Sequence, residues 1–151
     1  MKVRVFKNED GFVSIIHPAR KSKKESETED QWLARVFEKA TPEGAIFKDI
    51  DILSIPNDRT FRGAWELTGD VVSVNMPKAR VIHMDRIRIL RNKKLKDLDV
   101  DYIMALETSD QANMSEIAAL KKILRDIPQT FDLSVAKTPE ELKTLMPKEL
   151  K

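Results

Sequence analysis

Residues 75–107 read NMPKARVIHMDRIRILRNKKLKDLDVDYIMALE, and this stretch decides the fold. Asn75 has the form of an N-cap, and Pro77 stands in the first turn, where its missing N–H leaves no helical bond unmade. After Pro77 neither Gly nor Pro occurs until Pro128. That gap predicts one helix over residues 76–107, roughly 45 Å long at 1.5 Å per residue. Met84, Ile87, Leu95, Leu98, Tyr102 and Ala105 recur at spacings of three, four or their multiples, a heptad-like seam interrupted by Arg91. A compact chain of this length has a radius of gyration near 15 Å. The helix is therefore expected to project or to run along the whole molecule.

Downstream, Thr108 to Ser115 is polar and reads as a connection. Ile117, Leu120, Ile123, Leu124 and Ile127 then form a second apolar stripe, so the two helices are expected to fold back as an antiparallel hairpin that ends at Pro128. Past Phe131 and Leu133, Thr138-Pro139-Glu140-Glu141 has the form of a capping box with Pro at its first position. Leu142, Leu145 and Met146 complete one short terminal helix before Pro147.

Upstream of Asn75 the period is two rather than 3.6. Residues 2–7 and 12–17 alternate around Asn8-Glu9-Asp10-Gly11 and read as a β-hairpin. Residues 19–27, ARKSKKESE, carry nothing apolar larger than Ala and read as a solvated loop. Thr28 to Gln31 forms another capping box, opening a helix over residues 29–40 with Trp32, Leu33, Val36 and Phe37 on one side. A short strand is expected within residues 45–55, and a second hairpin joins Phe61–Leu67 to Val71–Asn75 across Thr68-Gly69-Asp70. The fold class is α+β, with an N-terminal module of β-hairpins and a short helix over residues 1–75 and a helical hairpin plus terminal helix over residues 76–151. The expected core contains Trp32, Phe37, Trp65, Ile87, Leu98, Tyr102, Leu120 and Leu124.

The 151 residues suffice for about one domain's worth of chain. No cysteine is present, which removes disulfides, a thiol nucleophile and zinc–thiolate sites. No apolar run approaches the roughly 18–20 residues of a membrane span, and the start lacks a signal-peptide core. The expectation is a protein made in the cytoplasm, with no membrane partner. His17 and His83 lack the companions of a zinc site, and the four glycines stand singly rather than in a phosphate-cradling loop. Asp49 and Asp51 share one strand face and offer weak cation binding at most, a solvated face being the ordinary reading. Asp97, Asp99 and Asp101 spread around a helix and do not converge as an acid/base pair. No catalytic, metal or cofactor residue is assigned, and the chain is expected to be non-enzymatic.

Charge is more informative. From Lys78 to Lys96 eight basic residues face Asp85 alone, a net +7, while residues 97–116 hold six acidic residues and no Lys or Arg, a net −6. That order opposes the helix macrodipole. Arg86, Arg88, Arg91, Lys93, Lys94, Lys96, Asp97, Asp99 and Asp101 are the candidate interface. Solvated faces, self-complementary assembly and nucleic-acid binding all remain open for it. Nucleic acid is disfavoured because no aromatic lies among the bases and no readout motif accompanies them.

The run from Phe61 to Asp110, with Ile117–Pro128 and Thr138–Pro147, resembles small proteins encoded in the tail-gene clusters of tailed bacteriophages. The resemblance rests on the Trp65 hairpin, Lys78-Ala79, Ile82-His83, Asp85, Ile87-Arg88, Leu98-Asp99, Tyr102, Met104 to Glu107, Lys122, Leu124 to Asp126, and Thr138 to Leu142. It covers about half the chain, on motifs of helix packing and capping. It implies a structural component of the virion tail or tail-fibre region, a homo-oligomer in contact with other tail proteins. A tail-fibre or tail-assembly chaperone absent from the finished particle is the alternative. Either product is made in the host cytoplasm, and a structural one ends in the virion tail.

Overall fold

Alternation along β1 (Lys2–Lys7) sends Val3 and Val5 to one face of a sheet and Arg4 and Phe6 to the other. In the computed structural model, which describes residues 1–151, β1 is the central strand. It pairs antiparallel with β2 (Val13–Ile16) and with β3 (Phe47–Asp51), placing Val5 opposite Ile15 and Val3 opposite Ile50. A separate hairpin of β4 (Trp65–Thr68) and β5 (Val71–Val74) brings Trp65 and Val72 onto Val3, Val5, Val13 and Ile50, and these six side chains form one buried cluster.

On the other face, the Arg4 guanidinium lies 4.7 Å from the Phe37 ring centre and 3.6 Å from that of Phe47. Phe37 belongs to α1 (Glu29–Ala40), so the sheet lies between a helix and a hairpin. The Thr28 capping box is present: Thr28 Oγ1 accepts from the Gln31 amide at 3.2 Å, and Gln31 Oε1 accepts from the Thr28 amide at 3.0 Å. The chain divides into two compact units, Met1–Asn75 and Met76–Lys151.

The second unit is built on α2 (Met76–Glu107), 32 residues and about 48 Å of helix. It packs against α3 (Gln111–Thr130) and receives α4 (Pro139–Thr144) near its N-terminal part. Ala79, His83, Ile87, Leu98 and Ala105 are its buried stripe, met by Ile117, Leu124, Ile127, Leu133, Ala136 and Leu142. Arg80 holds the segment after α3, its Nη2 donating to the Ala136 carbonyl at 2.9 Å and its Nε to that of Leu133 at 3.2 Å.

Several boundaries differ from the sequence expectation. The hairpin connection is only Thr108–Asp110, because Ser109 takes a left-handed φ of 56° and Asp110 caps α3 by accepting from the Asn113 amide at 3.0 Å. Pro128 does not end α3, which runs to Thr130; so near the C-terminus the missing N–H forfeits a single helical bond. Phe61 lies outside the second hairpin, since Arg62–Ala64 form a 3₁₀ turn before β4 begins. Residues 19–27 include a 3₁₀ turn at Arg20–Ser22 that is tied to α1. Trp32, Phe37, Trp65, Ile87, Leu98 and Leu124 are buried, whereas Tyr102 and Leu120, placed in the core by sequence, are only half-buried. Tyr102 sits at the edge of the α2–α3 contact with the Lys121 ammonium 5.4 Å from its ring centre.

Candidate functional site

The residues weighed for chemistry are engaged in the fold. Arg4 holds Asp49 by two parallel bonds, Nε to Oδ1 and Nη2 to Oδ2, both 2.7 Å. Asp51 accepts from the Leu53 amide at 2.9 Å and from the N-terminal ammonium at 3.2 Å, and these contacts hold its carboxyl below the usual range. The two strand carboxylates are therefore not a free cation site. His17 is exposed, while His83 is buried in the second unit with Nε2 2.7 Å from the Leu145 carbonyl, a contact that fixes the proton on Nε2 and ties the end of α4 to α2. No three His, Asp or Glu side chains are grouped as metal ligands. A groove of about 650 Å³ in the first unit is lined by the β1–β2 turn and by Pro42 to Ile46.

The nine charged residues of the candidate interface, all on α2, do not form one face. Arg91 interrupts the buried stripe, is half-buried, and donates to the side chain of its neighbour Asn92 at 2.9 and 3.2 Å. Arg88 is paired with Asp85 one turn back at 2.7 Å and borders a groove of about 370 Å³ with Arg80, Val81, Met84, Phe131 and Leu133. Asp99 is paired with Lys121 across the hairpin. Arg86 is half-buried. Lys93, Lys94, Lys96, Asp97 and Asp101 are exposed, and none of them enters a salt bridge within the chain.

What the sequence reading passed over is the apolar side of the same surface. Ile89 is 69% exposed, Val100 58% and Met104 59%, with Leu90 and Ile103 also exposed. A stripe like this costs solubility unless something covers it, and five such residues within four turns amount to more than the scattered exposed leucines of an ordinary surface. Their signal was present as Ile89 and Leu90 recurring about three turns later in Val100, Ile103 and Met104, masked by the seam on which α3 packs.

No family model, curated protein or solved structure matches this chain. No helix is long and apolar enough to cross a membrane.

Proposed function

We propose that this chain acts by protein–protein contact, without catalysis, as a structural component of the tail or tail-fibre region of a tailed bacteriophage. The observation that carries the contact role is the exposed side of α2, where Ile89, Leu90, Val100, Ile103 and Met104 lie among charges left unpaired inside the chain. Apolar anchors with a charged surround are the composition of a protein-binding patch. The buried His83 and the tied-down Asp49 and Asp51 support a non-enzymatic reading. The tail assignment rests on the resemblance of residues 61–147.

Mass spectrometry of purified particles tests it. Stoichiometric presence of the chain is the expected result. Absence from particles, with recovery in a complex with a fibre protein from infected cells, would instead make it an assembly chaperone; absence from both would end the tail reading.

A further inference from the structure

We infer that α2 pairs antiparallel with α2 of a second copy of this chain, through a seam formed by Arg86, Leu90, Lys93, Asp97, Val100 and Met104. These positions are separated by four, three, four, three and four residues, the spacing of a two-helix seam. They follow a different line along α2 from the buried stripe that ends in Leu98 and Ala105. Leu90, Lys93, Asp97, Val100 and Met104 are all exposed.

The order of residues along the seam is self-complementary in one orientation. Place a two-fold axis at Leu95 and run the second helix in the opposite direction. Leu90 then faces Val100 of the second copy, Lys93 faces Asp97, and Arg86 faces Met104, each contact occurring twice as an isologous interface requires. Two apolar layers flank two ion-pair layers, and the long stems of Lys93 and Arg86 add apolar cover. The basic block from Lys78 to Lys96 on one helix lies along Asp97, Asp99, Asp101 and Glu107 of the other. The parallel arrangement fails on the same residues, because Lys93 would meet Lys93 and Asp97 would meet Asp97. Ile89, Lys96 and Ile103 lie beside the seam and extend it.

This pairing also gives the wrong-way charges of α2 a reason. Bases toward its N-terminal half and acids toward its C-terminal half disfavour the lone helix, but antiparallel helices set each block against its opposite. The inference does not depend on the tail assignment, since the seam is a property of the purified chain.

Sedimentation of the full-length protein over about 1–500 µM tests it. A monomer–dimer equilibrium that weakens between low and high salt is expected. Lys93→Glu and Asp97→Lys each place like charges in both central layers, and each should raise the dimer dissociation constant roughly tenfold or more. The double variant Lys93→Glu/Asp97→Lys restores opposite charges and should return to within about threefold of the parent. Recovery in the double variant is specific to antiparallel pairing. Circular dichroism checks that each variant keeps its helix, and Leu90→Gln, an exposed position, provides a second route to the same loss of dimer. A monomer at all concentrations, single variants without effect, or a double variant no better than the singles would overturn the inference. So would salt-dependent binding to duplex DNA by a chain that stays monomeric.

Discussion

Glu27 shows what one residue does to a segment that composition alone marks as solvated. Arg35 of α1 grips its carboxylate by Nε at 2.6 Å and Nη2 at 2.8 Å, and the Lys24 amide adds a third bond at 2.9 Å. These contacts, the Arg35 bond foremost, lower the Glu27 pKa from 4.5 to about 2. A depressed carboxylate pKa contributes its full stabilisation above the unfolded value and loses it as pH falls through the folded one. The Glu27 contribution to the tie between residues 22–27 and α1 is therefore complete above about pH 4.5 and is lost toward pH 2. Carboxyl titration by NMR should place the Glu27 midpoint well below that of an exposed Glu, and Arg35→Gln should return it toward 4.5. A midpoint near 4.5 in the parent chain would refute the bidentate contact. Ser109 makes a different case: its φ of 56° is one an L side chain adopts at a cost. Ser109→Gly should stabilise the chain by up to about 1 kcal/mol in chemical denaturation, and a loss of stability would mean that the Ser side chain contributes more than its backbone strain costs.

Among the elements, α2 was the most legible and its orientation the least. Its start follows from Pro77 in the first turn, its uninterrupted length is permitted by the absence of Gly and Pro, and its end is marked by the polar run that begins at Thr108, all local signals. The capping boxes at Thr28 and Thr138 were readable for the same reason, each being a bond between residues three apart. The short Thr108–Asp110 turn and the passage of α3 through Pro128 were not, because a left-handed Ser and a late Pro are decided by what the hairpin packing tolerates. The side of α2 that α3 covers was only partly readable, since apolar residues occur around the whole helix: Leu98 is buried while Val100 is exposed. The helix has no acid in its first turn and no base in its last, where Glu107 stands against the negative end of the dipole. Glu107→Lys should raise stability by about 0.3–1 kcal/mol in urea titrations at low salt, shrinking as salt screens the dipole. A destabilised variant would show that Glu107 is held by a contact stronger than the dipole effect.

At the scale of the whole molecule, a net charge of +2 conceals a +7 block over residues 78–96 and a −6 block over residues 97–116, which begins on the same helix and continues through the turn into α3, so average composition said nothing of where the charge lies. The change of period at residue 76 was the more telling signal, and it coincides with the boundary between the two compact units. Each unit has its own means of closing a core: a three-stranded sheet sealed by the Trp65 hairpin in the first, and α2 with α3, α4 and the Leu133–Ala136 segment in the second. The second unit also ties its segments together by its own polar contacts, through the Arg80 bonds to the Leu133 and Ala136 carbonyls, the His83 bond to that of Leu145, and caps at Asp110 and Thr138. Small domains begin to fold alone once they exceed roughly 40–60 residues, a length this unit passes. Residues 76–151 expressed alone should therefore be helical and should melt cooperatively, read by circular dichroism and by dispersed amide resonances. Within that fragment, Arg80→Ala should cost about 1–3 kcal/mol, because it strands two carbonyls of the segment that seals the helices. A fragment that is helical but melts without a transition would mean that α2 and α3 form without this closing segment in place, and would make residues 1–75 necessary to the fold of the second unit.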